Sequence, residues 1–428
     1  MDALSISVFV VFFGLVIIRV PIAVALTLGA LIPVILFSRV PPLAILQKFF
    51  TTIDVFSFMA IPLFIFCGGL LEKSGVSGRL CDFTYSLVGW LPGGIAIVTF
   101  VTSMFFGAVS GSATATVLAV GSIMVPMMID QGYGEKFALA CIAVAGILGV
   151  IIPPSIPMVV FGMTAGVSIS DLFTGGIIPG IMLTAVFSLY SYCYGRKNIA
   201  AAGVFEAGAV WRTFKGAVWG LLMPVIILGG IYGGIFTPTE AAAVASIYGI
   251  FVGFVIYRQL SIAKLYDVLK ESVTSSSMIM FIVAAAAAYG YVLTRRQIPL
   301  EIAEGIIAFS GSSVVFMLVV NLLLLLVGTF METCAAILIL TPMLVPACKM
   351  LGIDLTVFGV VMVINLAIGM VTPPLGLNLF VAARLRNRPI DHVVNRHLSA
   401  LIALAVGVLL LLTFFPSIIL FLRRFLSA

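Results

Sequence analysis

The chain has 428 residues, of which 62% are apolar and only 9% charged, and its mean hydropathy is +1.30. A soluble domain carries about a quarter charged residues, so this composition excludes a globular soluble protein and leaves a lipid bilayer as the place to bury so much apolar surface. The formal charge of +6 comes from Lys and Arg placed singly in short loops, which fits orientation in a membrane and not a nucleic-acid partner; two histidines and six scattered cysteines leave no zinc or histidine-based centre.

The first apolar run, Leu4 to Ile18, begins beside Asp2 and has no small-residue cleavage pattern, so it reads as a retained helix and not a signal peptide. Membrane spans are predicted over 4–18, 20–37, 57–72, 137–165, 172–195, 216–236, 240–257, 272–294, 357–384 and 398–422. Two further apolar stretches, 92–126 and 311–346, are interrupted near their centres by Ala108-Val109-Ser110-Gly111-Ser112-Ala113-Thr114 and by Gly328-Thr329-Phe330-Met331-Glu332-Thr333. The apolar length on either side of each interruption is short, so two re-entrant hairpins are expected. The short mixed segments 39–50, 80–90, 297–310 and 386–397 are expected to be interfacial helices. With the N-terminus outside and both hairpins returning to the side they entered from, fifteen Lys and Arg fall in inside loops and seven in outside loops. The positive-inside rule then places both termini on the periplasmic side.

Displacing the chain against itself by 220 residues aligns its punctuation without a gap. Pro126 meets Pro346, Gly132 meets Gly352, Gly149 meets Gly369, and Pro153-Pro154 meets Pro373-Pro374. Spans 20–37, 57–72 and 172–195 meet 240–257, 277–294 and 392–415. The expected fold is an all-α polytopic membrane protein of two repeats, residues 1–200 and 216–428, each with about five spans plus one re-entrant hairpin. An odd number of spans turns the second copy upside down, the inverted-topology arrangement of secondary transporters.

Proline removes a backbone donor and clashes with the preceding turn, so neither Gly149 to Pro157 nor Gly369 to Asn378 can be helical throughout. Unpaired carbonyls are costly in hydrocarbon. A bound cation satisfies carbonyls, and free N–H groups at half-helix N-termini favour an anion. Four helix breaks, two from each repeat, therefore point to an ion and substrate site.

At these residues the sequence resembles the large membrane subunit of tripartite ATP-independent periplasmic (TRAP) transporters. The matching stretches are Ile61-Pro62-Leu63-Phe64, Ser103 through Ser112, Gly149 through Pro157, Phe236-Thr237-Pro238-Thr239-Glu240-Ala241, and Thr372-Pro373-Pro374-Leu375-Gly376-Leu377-Asn378. The resemblance implies an elevator of the ion transporter superfamily type. In it a transport domain of both hairpins and both broken helices moves against a scaffold that includes spans in 1–72 and 216–294. It also implies sodium drive, a periplasmic substrate-binding protein, and a small four-helix membrane subunit, expected here as a separate chain. Carried over by position, one sodium site would use Ser103, Ser110, Gly111, Ser112 and Pro153, and a second Gly328, Thr329, Glu332, Val371, Thr372 and Pro373. Such small, hydroxyl-bearing or carbonyl-presenting positions suit a hard cation. Ser110, Thr114, Ser155 and Asn378 are the candidates for substrate.

The remaining polar residues have simpler readings. Glu240 reads first as a helix-start carboxylate after Thr237. Arg384, Arg386 and Arg388 read as positive-inside anchors before they read as substrate contacts, and Gly14, Gly29, Gly68 and Gly69 as close-packing positions. A stand-alone sodium–carboxylate symporter is the alternative function. Rings of pore charge, intramembrane catalytic pairs and a phosphate-binding Gly-x-x-x-x-Gly-Lys loop are all missing, which argues against a channel, an enzyme and direct ATP drive. Sialic acid, C4-dicarboxylates, other sugar acids and keto acids all remain open as substrates.

Overall fold

The computed structural model describes residues 3–38, 40–199, 204–301, 304–305 and 312–426, and among them every regular element is helical. The first half runs through α1 (Ala3–Ile17), α2 (Ile22–Phe37), α3 (Pro42–Ile53), α4 (Ala60–Lys73, entered through a 3₁₀ turn at Phe56–Met59) and α5 (Val76–Val88). It continues with α6 (Gly94–Ser110), α7 (Ala113–Asp130), α8 (Glu135–Ala145), α9 (Leu148–Ile151), α10 (Ile156–Ala165) and α11 (Ile169–Asn198). The second half holds α12 (Ala207–Tyr232), α13 (Pro238–Phe251, continued by a π turn at Val252–Ile256), α14 (Ile262–Arg295), α15 (Ser313–Gly328) and α16 (Thr333–Met350). After these come α17 (Leu355–Gly369), α18 (Leu377–Arg384), α19 (Ile390–Val393), α20 (Arg396–Phe414) and α21 (Ser417–Leu426).

By length and composition, eight of the described helices can cross a membrane, or nine if the bent pair Glu135–Ile151 and Ile156–Ala165 counts as one span. The bend in that pair is 42°. Of the ten spans expected from the sequence, 4–18, 20–37 and 357–384 correspond to shorter apolar helices, whereas α7 and α16, expected as hairpin arms, are among the eight. Several boundaries move for local reasons. The span expected from 272 begins at Ile262, because no glycine or proline interrupts the chain until Gly290 and Ser261 caps the new start. The span expected to reach 422 stops at Phe414, since Pro416 has no N–H to continue it. The expected interfacial helix 386–397 is broken up: Asn387 has φ 51°, Pro389 follows, only the short α19 forms at Ile390–Val393, and Asn395 caps α20. Segments 39–50 and 80–90 correspond to α3 and α5; Arg39 and residues 302–303 and 306–310 lie outside the described residues.

The core is formed by the two broken helices. Residues 137–162 and 356–371 are buried without interruption, as expected of helices apolar on all sides. The arms α6 and α7 pack along each other, whereas α15 and α16 make little mutual contact and both lean on α17. Other contacts cross between the halves: α10 lies on α16, and α18 lies on α7 and α8. A second group of helices, α2, α3, α4 and α13 with the long α14, packs beside them.

Two glycine contacts bring the hairpin arms close to the broken helices. A Cβ built at Gly107 would lie 2.9 Å from the Gly149 Cα, and one at Gly328 would lie 3.0 Å from the Gly369 Cα. Each joins a hairpin arm to a broken helix. Gly149→Ala and Gly369→Ala are therefore expected to destabilise the protein by about 1–3 kcal/mol. Gly14→Ala and Gly216→Ala, which point into open space, should stay within about 0.5 kcal/mol. Thermal unfolding in detergent micelles separates the two classes; equal effects would refute the close-packing role.

Candidate functional site

The first hairpin tip turns at Gly111, which ends α6 in the left-handed conformation at φ 61°. Ser112 caps α7: its Oγ accepts from the Ala115 N–H at 3.4 Å, and its carbonyl accepts the Thr116 hydroxyl at 2.8 Å. Ser110 Oγ accepts from the Ser112 N–H at 3.4 Å. A Cβ at Gly111 would lie 2.9 Å from the Pro154 carbonyl oxygen, so this tip sits directly on the first Pro-Pro loop. In that loop the Pro153-Pro154 bond is cis. The Ser155 hydroxyl donates to the Val150 carbonyl and accepts from the Met158 N–H at 3.4 Å, capping α10.

The second tip is built on the same plan with different chemistry. Glu332 caps α16, its Oε2 accepting from the Ala335 N–H at 3.1 Å. The Gly376 N–H donates to the Thr329 carbonyl at 2.9 Å, joining this tip to the second Pro-Pro loop, where Pro373-Pro374 is also cis. The Asn378 N–H donates to the Met370 carbonyl at 3.0 Å across the break, and the Thr372 hydroxyl donates to the Ile368 carbonyl at 2.8 Å. Tip one thus sits on the first Pro-Pro loop and tip two on the second, while α10 and α18 pack across on the opposite half.

All four breaks meet at one cavity of about 550 Å³. Its lining includes Ser110, Gly111, Ser112 and Thr114 from the first tip and Glu332, Thr333 and Cys334 from the second. Val150, Ile156, Pro157, Met370 and Leu377 come from the broken helices. The opposite wall is made by Gly68, Gly69, Glu72 and Lys73 of α4 with Glu271, Ser272 and Ser275 of α14. The first residues of α7, α10, α16 and α18 all face this space, and helix starts favour negative charge.

Of the residues singled out from the sequence, Ser110, Gly111, Ser112, Thr114 and Glu332 line the cavity. The others lie behind or beside it. Ser103 is fully buried in α6 and its hydroxyl has no protein partner. Asn378 is fully buried, its Nδ2 donating to the Ala143 carbonyl at 3.3 Å while its Oδ1 has no partner. Ser155 is committed to its cap, Val371 and Pro153 are buried, and Gly328 is packed on Gly369. Thr329, Thr372 and Pro373 are half-buried beside the second tip. Orphaned oxygens at Ser103 and Asn378, and carbonyls exposed by the breaks, are the donor type that sodium accepts.

The sequence reading missed the charged wall, because Glu72, Lys73 and Glu271 look like ordinary flanks of spans. It also missed the buried link in which Asn365 Nδ2 donates to Asn321 Oδ1 at 2.9 Å and Asn321 Nδ2 to Thr413 Oγ1 at 2.9 Å, tying α15, α17 and α20. Arg386 and Arg388, left open between anchors and substrate contacts, both engage Glu135 at the start of α8, at 3.4 and 3.0 Å, with His392 Nε2 at 3.4 Å. Arg423 similarly engages Asp171 at 3.1 Å and Asp354, the cap of α17, at 3.5 Å. The start of each broken helix is thereby tied to residues that follow the other. Glu240 takes the helix-start role expected of it, completing a capping box with Thr237.

Residues 9–418 match the family model of the tripartite ATP-independent periplasmic transporter, DctM component. The chain is 43% identical over 409 residues to the isethionate TRAP transporter permease protein DctMQ of Oleidesulfovibrio alaskensis, covering 95% of this chain and 64% of that longer relative. It is 41% identical over 404 residues to the C4-dicarboxylate TRAP transporter large permease protein DctM of Pseudomonas aeruginosa, covering 94% of both. The crystal structure of the Alcanivorax borkumensis YdaH transporter is similar in fold, with a TM-score of 0.61 at 18% identity over 87% of this chain and 89% of that one.

The Arg388 guanidinium holds the Glu135 carboxyl below the usual carboxylate range. A lowered value means that the clamp stabilises the fold at neutral pH and is lost as the pH falls through the folded-state value. Its partners are exposed, so Glu135→Gln is expected to cost less than about 1 kcal/mol at pH 7. The difference from the parent should vanish in acid; thermal unfolding across a pH series checks this, and a difference that persists there would contradict it.

Proposed function

The chain belongs to the DctM component family of tripartite ATP-independent periplasmic transporters, and we propose that it carries a small organic anion across the bacterial inner membrane in symport with sodium. A periplasmic binding protein would deliver the substrate, and a small membrane subunit would complete the permease. The convergence of two hairpin tips and two broken helices on one cavity carries this reading. The chain is a transporter component and not an enzyme.

Sodium would be held by the backbone and hydroxyl oxygens around each tip: Ser103, Ser110, Gly111, Ser112 and Pro153 at the first, Gly328, Thr329, Glu332, Val371, Thr372 and Pro373 at the second. Substrate would occupy the cavity between the tips, against Ser110 and Thr114. The repeat units are 1–200 and 216–428, inverted relative to each other, with both termini periplasmic. In support, α7 and α16 begin 220 residues apart and have 18 residues each, and α8 and α17 begin at the same displacement. The tips and broken helices form the moving body, the clamps at Glu135 and Arg423 keep its halves together, and the group containing α4 and α14 is the wall it slides against. Relatives named for isethionate and for C4-dicarboxylates have nearly equal identity to this chain, so kinship does not choose between substrates.

Uptake of labelled organic acids into proteoliposomes tests the reading, using the chain with its small partner, an inward sodium gradient, and the binding protein present or absent. Uptake that needs both sodium and the binding protein is expected. Ser112→Ala or Thr372→Ala should raise the sodium concentration for half-maximal uptake about tenfold, the effect of one lost oxygen contact. Uptake by the permease without its binding protein would favour the stand-alone symporter, and uptake indifferent to sodium would rule out the ion sites.

A further inference from the structure

The cavity is unusual for an anion site in the charges around it. Among the described residues that line it, Glu72, Glu271 and Glu332 are acidic, Lys73 is the one cation, and no arginine is present. Carboxylates that are gripped twice are gripped by arginine forks. The guanidiniums that follow the second broken helix, Arg386 and Arg388, are engaged on Glu135, and Arg423 is engaged on Asp171 and Asp354. Lys73 makes no ion pair among the described residues. Three of the four helix starts are also taken, since Ser112, Ser155 and Glu332 accept hydrogen bonds from the N–H groups of α7, α10 and α16. Only α18, whose cap residue is Gly376, begins without a side-chain cap.

Against three acidic groups this lining sets one cation, so Lys73 offers a single counter-charge and a second negative charge on a ligand meets only carboxylates. Sodium ions at the two tips would offset part of the acidic charge equally for any substrate, so the difference between one and two charges on the ligand persists. Within a partly desolvated cavity that difference is larger than in bulk water.

Resting on the transport reading above, we propose that the substrates are singly charged small organic acids, with Lys73 as their counter-charge and with a neutral polar remainder facing the hydroxyls of Ser110 and Thr114. Dianions of the same size are excluded by Glu72, Glu271 and Glu332. Lys73 lies in the last turn of α4, so the specificity residue is on the wall opposite the hairpin tips and not on the tips themselves.

Matched probes isolate the charge. Succinamate and succinate, and malamate and malate, are similar in size and differ by one negative charge at neutral pH. Thermal unfolding of the full chain with its small partner in nanodiscs, at saturating sodium, gives an apparent affinity for each probe without the binding protein's own selectivity. The monoanion of each pair is expected to bind about tenfold more tightly, the scale of one uncompensated charge in a partly screened site. Lys73→Gln should abolish the monoanion's shift and Lys73→Arg restore it, while Glu72→Gln with Glu271→Gln should narrow the gap within each pair. Tighter binding of the dianions, equal or absent shifts across the panel, or a Lys73→Gln protein that behaves as the parent would each overturn the proposal. Failure of sodium-dependent uptake in proteoliposomes would instead sink the transport reading, so the two results are separable.

Discussion

A helix break inside an apolar body leaves backbone N–H and C=O groups that neither water nor lipid can satisfy, and the arrangement of this protein follows from how four such breaks are closed. Side chains cap three helix restarts, at Ser112, Ser155 and Glu332. The fourth is closed by backbone, with the Gly376 N–H on the Thr329 carbonyl. Each hairpin tip lies on a Pro-Pro loop, and close approaches at Gly107 with Gly149 and at Gly328 with Gly369 bring a hairpin arm against each broken helix. The breaks are held in pairs, and the carbonyls and helix starts they leave open converge on one space.

Charge is placed around this centre with economy. Outside it, Glu135 and Arg423 tie the start of each broken helix to residues that follow the other, so the two halves are joined by residues that do not line the cavity. Inside it, the charges stand on α4, α14 and one hairpin tip.

The helix breaks were legible because their causes are local. A proline pair ends a helix wherever it occurs, and the glycine, serine and threonine clusters at 108–114 and 328–333 interrupt apolar runs whatever surrounds them. The pairing of tips with loops followed from the family resemblance, which set the first tip with Pro153 and the second with Pro373. Boundaries that depend on continuation were harder to place: nothing in 262–271 looks like a membrane span, yet it extends α14 because no residue stops it. Side-chain partnerships between distant segments left no trace in the sequence. Glu135 with Arg388 is separated by 253 residues, and Asn321 with Asn365 by 44. The substrate candidates Ser155 and Asn378 were chosen for polarity at a break, and the structure gives that polarity to capping and to interhelical bonding.

If the oxygens gathered at the breaks form cation sites, sodium must stabilise the folded chain in a way that ionic strength alone does not. The unfolding temperature of the protein in lipid nanodiscs, followed as sodium chloride replaces potassium chloride at constant ionic strength, measures this directly. A rise that saturates with sodium is the expected result. Coincident curves in the two salts would contradict a cation role for the four breaks.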